Sequence, residues 1–246
     1  MRGGVGVDVD SVERAAARRG HSGRLPAGDE RRVEVAREIV DRPAAVERRL
    51  RRRAIAVLED IATALQRRSG EAVQAALARR RKIDPLSRAL DQALAVGRET
   101  ARLAPPRRRL VSTVDVYADA AGQIDLAVRN VRVLARGARR AIDLDENVPP
   151  EVADALRELA VAVRGLGDAL DDPDHAEAVR TPALRAAGMA TLVLERTGNL
   201  SVSVIVGQVR STAVDLLRGS GMSYDGAVDA VRGAARAAER LDESDR

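Results

Sequence analysis

The sequence contains no cysteine, no phenylalanine and no tryptophan, and only two tyrosines. The lack of cysteine excludes disulfide bonds and thiol chemistry, and it leaves the cellular compartment open. Aromatic residues are typical of β-strands, so their scarcity beside many Ala, Leu, Arg and Glu residues favours an all-helical fold. A core of Ala, Val and Leu permits close helix packing but offers few large side chains to line a ligand pocket.

Lysine is almost absent as well, because Lys82 is the only one. Arginine is abundant together with Ala, Gly and Val, which is the composition that GC-rich coding produces. The formal net charge of +5 is modest for 246 residues and does not by itself indicate nucleic acid.

Long hydrophobic runs are missing too. No stretch approaches the roughly 18 uninterrupted apolar residues that a bilayer-spanning helix requires. The first 20 residues lack the apolar core of a secretory signal. We therefore expect a soluble, cytoplasmic chain.

The clearest periodic pattern runs from Arg107 to Ile142. Apolar residues recur there at alternating spacings of four and three, namely at Leu110, Val114, Tyr117, Ala121, Ile124, Val128, Val131, Ala135, Ala138 and Ile142. This spacing predicts one long helix with a continuous apolar stripe, similar to a coiled-coil seam, which neighbouring helices must cover. The sequence thus predicts an all-α, antiparallel helical bundle of six to eight helices with a long central helix over about 107–142.

Turn signals divide the rest of the chain into shorter helices. We predict that Pro43 ends a short helix near residues 33–40 and that Thr181-Pro182 starts a helix after an acidic loop. Residues 200–217 fit a buried strand or a helix, and the helix is favoured because no partner strand is evident. The predicted organisation is a mobile tail with a short helix at 1–42, one helical-bundle domain at 43–242 and an acidic tail at 243–246.

The titratable residues give no support for catalysis. His21 and His175 have no second ligand at a spacing that would bind a metal on one helix face. Four acidic residues resemble a calcium-binding loop but lack its central glycine and closing glutamate: Asp168, Asp171, Asp172 and Asp174. We predict a non-enzymatic protein with no cofactor, no metal site and no evident small-molecule substrate.

Arginine clusters are the strongest charge signal. Two of them lie near the starts of predicted helices, where the helix dipole disfavours cations: Arg48, Arg49, Arg51, Arg52 and Arg53, then Arg107, Arg108 and Arg109. A contact with an anionic membrane would explain them, at on the order of 1 kcal/mol per nearby cation. Solvated faces paired with Glu and Asp are the open alternative. No aromatic residues are interleaved for base stacking, so nucleic acid is the least favoured partner.

Polar residues interrupt the most apolar stretch of the chain. Gln208, Arg210 and Asp215 occur within it, and buried polar groups need partners. We predict a buried polar network in which Arg210 or Asp215 reaches across the bundle to the central helix near Asn130 or Arg132.

A family resemblance rests on two stretches in combination, AVRNVRVLARGARRAI at 127–142 and VIVGQVRSTAVDLLRGSGM at 204–222. With VPPEVADALRELA, RLAPPRRR and RPAAVERRLRRRA they resemble the soluble C-terminal region of actinobacterial fusaric acid resistance protein-like (FUSC) and aromatic acid exporter family proteins. The resemblance covers roughly Pro43 to Val231. It implies a cytoplasmic helical domain that follows a transmembrane bundle, which this sequence lacks. The Arg48–Arg53 cluster would then lie where the membrane helices end, as the positive-inside rule expects.

The predicted function is therefore that of a non-enzymatic domain of an FUSC or aromatic acid exporter-like transport protein, acting in assembly, regulation or membrane-surface association. Its predicted partner is the membrane part of the exporter or an anionic membrane surface, and its predicted place is cytoplasmic, peripheral at the inner face of the plasma membrane. Two alternatives remain open: a free-standing scaffold that forms homo-oligomers, and a protein that binds nucleic acid through its arginines.

Overall fold

A computed structural model describes residues 27–102 and 108–244, with most side chains from 41 to 97 and from 122 to 240. This part of the chain forms eight α-helices, one short 3-10 helix (Pro173–Ala176) and no strand. In order, the α-helices are α1 (Ala27–Gln66), α2 (Gly70–Arg80), α3 (Asp84–Arg102), α4 (Arg108–Asp143), α5 (Pro150–Asp171), α6 (Glu177–Arg196), α7 (Leu200–Gly219) and α8 (Tyr224–Ser244). The all-α helical bundle is confirmed. One continuous core of buried side chains joins all eight helices.

The predicted central helix corresponds to α4, whose ends lie within one residue of those expected. Val131, Ala135 and Ala138 are buried as predicted, and Leu134 and Ala141 widen the buried stripe. The seam positions predicted between residues 110 and 128 lie outside the described side chains. Where it can be followed, the stripe covers a broader face than a strict coiled-coil seam, because α4 packs against several helices at once.

Helix α7 packs antiparallel against α4. A Cβ atom built on Gly137 would lie 2.8 Å from Cγ1 of Ile205, and one built on Gly219 would lie 3.4 Å from Cβ of Gln123. The missing side chain of Gly137 thus lets the two helices approach closely at one end of their contact, and at the other end Gly219 and Gln123 are in ordinary van der Waals contact. The predicted packing of the central helix against residues 200–217 is confirmed, and so is the helix at 200–217, which Asn199 caps by accepting the N–H of Val202 at 3.1 Å.

By length and composition α7 is also the one helix in the described ranges that could cross a membrane, with a mean hydropathy of 1.3. Half of the residues in this apolar window are buried inside the bundle. The core helix of a soluble bundle has the same composition, so composition alone does not distinguish the two.

The prediction that Pro43 ends a helix is wrong, because α1 continues from Ala27 through Pro43 to Gln66. A proline inside a helix removes one backbone hydrogen bond and costs about 3 kcal/mol. Pro43 and the following Ala44 are both buried, so their packing offsets part of that cost. The tail predicted at residues 1–26 lies outside the described residues, and the division into 1–42 and 43–242 stays a prediction.

The start predicted at Thr181-Pro182 is also wrong, since α6 already begins at Glu177. Pro182 lies inside the helix and has no N–H to donate to the carbonyl of Ala178 four residues earlier. Gly165 of α5 packs directly against this carbonyl, because a Cβ built on Gly165 would lie 2.3 Å from the Ala178 oxygen. A close helix neighbour thus covers the carbonyl that the proline leaves without its usual donor.

The antiparallel packing of α1 and α5 defines two ends of the bundle. At one end Nη1 of Arg51 donates to the carbonyl oxygen of Arg164 at 3.0 Å, near the end of α5. We call this the basic end, since Arg48, Arg49, Arg52 and Arg53 surround Arg51. At the other end, which we call the turn end, Arg68 after α1 pairs with Asp145 before α5.

Candidate functional site: a basic end on the bundle

The arginine cluster on α1 divides into four exposed side chains and one that is largely buried. Arg48, Arg49, Arg52 and Arg53 are exposed. They lie within six consecutive helical positions, 48–53, which span about 8 Å along the axis at about 1.5 Å per residue. None of the four forms an ion pair with any side chain that the structure describes. Four guanidinium groups at this density form a surface of strong positive potential.

Arg51 corrects the predicted set, because it is not available to an anion. Its side chain is 15% exposed, and its Nε donates to Oε1 of Glu47 at 3.0 Å. The Glu47 side chain is only 3% exposed. The guanidinium of Arg51 lies over Gly167, where a built Cβ would come within 1.9 Å of Cζ. Arg51 therefore joins α1 to α5, and it belongs to the core rather than to the basic surface.

The second predicted cluster lies outside the described side chains. Arg107 lies outside the described residues, and the side chains of Arg108 and Arg109 are not described. Their assignment to a membrane contact stays a prediction.

Several other arginines form ion pairs at the surface, as the alternative reading of the arginine content expects. Arg79 contacts Asp60 at 2.8 Å. Arg80 is paired as well, with Asp84 at 2.7 Å, but its side chain is buried. The same pairing occurs at the exposed surface for Arg139 with Asp143, Arg157 with Asp154, and Arg185 with Glu158. Solvated ion pairs thus account for many arginines of this chain but not for the exposed four at the basic end.

One contact of the predicted polar network is present. Nδ2 of Asn130 donates to Oδ2 of Asp215 at 2.9 Å, between α4 and α7. Arg132 is exposed, and Gln208 contributes its backbone carbonyl to the Thr212 hydroxyl at 2.7 Å. Among the described side chains, no hydrogen bond brings Gln208, Arg210 or Arg132 into the Asn130–Asp215 contact. The network is therefore a single pair.

The environment of Asp215 indicates a structural role. Burial raises the pKa of its carboxyl, while the hydrogen bond from Asn130 and the positive charge of Arg218 act in the opposite direction. No second carboxylate, histidine or other titratable partner faces it at hydrogen-bonding distance among the described residues. The hydrogen bond from Asn130 gives this half-buried carboxyl a partner and joins α4 to α7.

Candidate catalytic residues are not brought together. His175 is exposed, and its Nδ1 lies 3.2 Å from Oδ2 of Asp172 in the same short loop. His21 lies outside the described residues. In the part of the chain that the structure covers, no three His, Cys, Asp or Glu residues are grouped in a way that could hold a metal ion.

Sequence reasoning missed a groove between α4 and the start of α7, at the turn end. It encloses about 330 Å³ and is lined by Val133, Arg136, Gly137, Arg140, Leu200, Ser201 and Val204. The two contributing segments lie at least 60 positions apart in the chain, so no local pattern joins them. The sequence feature nearest to the groove was a row of arginines on the second half of the central helix, Arg129, Arg132, Arg136, Arg139 and Arg140.

Comparison with known proteins gives one relative. The chain is similar to an uncharacterised protein of Corynebacterium glutamicum, with 31% identity over 185 residues that cover 71% of this chain and 46% of that protein. The chain thus spans about half the length of the curated relative it matches. No family model and no solved structure matches the chain.

Proposed function

We propose that this chain is a non-enzymatic helical domain of an FUSC or aromatic acid exporter-like transport protein, and that its basic end contacts the anionic inner face of the membrane. The observation that carries the proposal is the set of four exposed arginines at the basic end, none of which is paired with a described side chain. The relative from Corynebacterium glutamicum is about twice as long as the region it shares with this chain, which leaves room for a further domain beside a helical one.

The strength of such a contact follows from the number of charges. At about 1 kcal/mol per nearby cation, four arginines contribute about 4 kcal/mol, which corresponds to a dissociation constant on the order of 1 mM. At physiological ionic strength, a contact this weak holds an isolated chain at a membrane only briefly; at low ionic strength, where the screening length is about 30 Å at 0.01 M, the contact is stronger. It becomes effective when a membrane-embedded partner keeps the domain close, because the effective concentration then reaches the same range. The basic end is therefore suited to orienting a domain rather than recruiting it.

The position of the cluster agrees with this role. The resemblance begins at Pro43, so the membrane helices that it implies would precede this residue. Arg48 and Arg49 follow it after about one helical turn, on the side of Arg51 away from the turn end, and α1 itself continues for 16 residues before Pro43, to Ala27. The turn end would face away from the membrane.

Vesicle flotation at low ionic strength tests the proposal. We expect the chain to float with vesicles of anionic phosphatidylglycerol and to remain unbound with neutral phosphatidylcholine. Replacing Arg48, Arg49, Arg52 and Arg53 together by Gln should abolish flotation, because it removes all four contacting charges. Raising the ionic strength to about 1 M, where the screening length falls to about 3 Å, should abolish it as well.

A matched control removes four charges elsewhere. Arg67, Arg81, Lys82 and Arg132 are exposed and make no side-chain ion pair with described residues, so their joint replacement by Gln should leave flotation unchanged. If both quadruple variants lost flotation equally, net charge alone would explain binding to the vesicles. That result would refute the assignment of the contact to the basic end. A wild-type chain that fails to float would favour the free-standing scaffold.

A further inference from the structure

The groove between α4 and α7 exposes apolar side chains next to unpaired cations. Leu200 is 66% exposed and Val204 is 41% exposed, both on α7, and Val133 faces them from α4. Arg136 and Arg140 are exposed one helical turn apart on α4 and line the same groove. Neither forms an ion pair with any side chain that the structure describes. An apolar wall with cations along one side matches an anion that carries an apolar chain.

The start of α7 adds to the positive potential. Leu200 and Ser201 are the first two residues of this 20-residue helix, and a helix N-terminus carries a partial positive charge from its unpaired N–H groups. The groove therefore receives positive potential from two sides, from the arginines of α4 and from the first turn of α7.

A second and independent observation is the hydroxyl of Ser201. The residue is 1% exposed and lines the groove, and its Oγ makes no hydrogen bond within the described part of the chain. Two other hydroxyls of α7 are bonded to the carbonyl four residues before them, Ser203 at 2.9 Å and Thr212 at 2.7 Å. Buried hydroxyls are normally paired. The unpaired hydroxyl at the groove floor is a donor that a bound acceptor would satisfy.

We propose that this groove binds a small anionic amphiphile with a carboxylate or phosphate head and a single apolar chain. Arg136 and Arg140 hold the head, Ser201 donates to it, and the chain lies against Val133, Leu200 and Val204. The volume of about 330 Å³ suits a ligand of this size. The groove is at the turn end, away from the basic end. This inference does not depend on the proposed function.

Titration calorimetry of the purified full chain tests the proposal, with decanoate and decyl phosphate as probes, each below its micellar concentration. We expect one site for at least one of the two, and the tighter probe identifies the preferred head group. Decanol lacks the charge and acetate lacks the chain, so neither should bind measurably. No binding by either anionic probe, or equal binding of decanol, would overturn the proposal.

Variants locate the site. Replacing Arg136 and Arg140 by Gln should weaken binding about tenfold or more, because both charge-assisted contacts are lost. The double variant Arg81→Gln and Lys82→Gln removes the same charge from another exposed surface and should bind as the wild type does. Leu200→Ser should weaken binding, whereas Leu144→Ser, at another exposed leucine, should not. If the Arg81 and Lys82 variant weakened binding as much as the Arg136 and Arg140 variant, the site would not be this groove. The same conclusion would follow if Leu144→Ser weakened binding as much as Leu200→Ser.

The unpaired hydroxyl has its own test. Ser201→Ala should weaken binding severalfold without lowering thermal stability, since the hydroxyl has no partner in the described chain. The groove and the basic end share no residue. A negative result in these titrations would therefore not count against the membrane contact, which vesicle flotation tests separately.

Discussion

Replacing Gly165 by alanine is expected to lower the free energy of unfolding by about 3 kcal/mol, which is large for the addition of one methyl group. The new Cβ would lie 2.3 Å from the carbonyl oxygen of Ala178 and 2.6 Å from its carbonyl carbon. Backbone atoms cannot rotate away as a side chain can, so α5 and α6 would have to separate. Intrinsic helix propensity acts in the opposite direction, because alanine is favoured over glycine by about 1 kcal/mol inside a helix. A net loss of stability therefore reports the close approach of the two helices.

Gly207→Ala is the matched control for this substitution. Gly207 is exposed in the middle of α7, and nothing lies within 4 Å of a Cβ built on it. Only the higher helix propensity of alanine acts there, so the free energy of unfolding of this variant should rise by about 0.5–1 kcal/mol. Urea denaturation followed by circular dichroism at the helical band measures both changes. If Gly165→Ala proved neutral or stabilising, α5 and α6 would not pack as closely as the structure has them.

The second large effect is expected at Glu47, the buried partner of Arg51. Glu47→Ala should cost about 3 kcal/mol, because it leaves the largely buried guanidinium without its carboxylate. Arg51 cannot easily turn into solvent, since it is held over Gly167 by its bond to the carbonyl of Arg164. Urea denaturation followed by circular dichroism measures this decrease in the free energy of unfolding.

An exposed ion pair between the same two helices provides the comparison. Arg164 and Glu59 are 3.3 Å apart, and their side chains are 56% and 52% exposed. Glu59→Ala should cost less than about 0.5 kcal/mol, because solvent screens the pair. The double variant Glu47→Met and Arg51→Met should recover most of the stability lost in Glu47→Ala, since a well-packed apolar pair often replaces a buried ion pair without loss. If Glu47→Ala and Glu59→Ala lowered the free energy of unfolding by similar amounts, the guanidinium of Arg51 would be free to turn into solvent.

The sequence predicted those features that follow from a repeated local pattern. The seam of α4 repeats over ten positions, so its ends could be placed within one residue. The helix at α7 and its contact with α4 were likewise predicted, because an apolar helix needs a partner and α4 offered the longest stripe. The Asn130–Asp215 bond followed from the general rule that buried polar groups are paired.

The two wrong helix boundaries, at Pro43 and Pro182, have a common cause. A proline forbids one hydrogen bond, and sequence rules take this as a helix boundary, which was predicted as an end at Pro43 and as a start at Thr181-Pro182. In both places the helix continues because neighbouring residues are packed against it. Pro43 is buried, and Gly165 covers the carbonyl that Pro182 leaves without its usual donor. Such compensation depends on a second helix that local sequence does not reveal.

At the candidate site, too, contacts with a second helix decide what local sequence does not reveal. In the run RRLRRR, only the helical phase separates Arg51 from its exposed neighbours. Its spacing of four from Glu47 was a usable signal, since that spacing brings two side chains together on one helix face. The groove at Leu200 gave no such signal, because it exists only where α4 and α7 meet.

The most direct test of the proposed membrane contact is which end of the bundle approaches an anionic surface. The chain has no cysteine, so an environment-sensitive fluorophore can be attached to a single cysteine placed at exposed Ala45, near the basic end, or at exposed Leu144, at the turn end. On addition of phosphatidylglycerol vesicles at low ionic strength, we predict a blue shift and a rise in emission for the label at position 45 and no change for the label at 144. A response at 144 alone, or at neither position, would contradict the proposed contact.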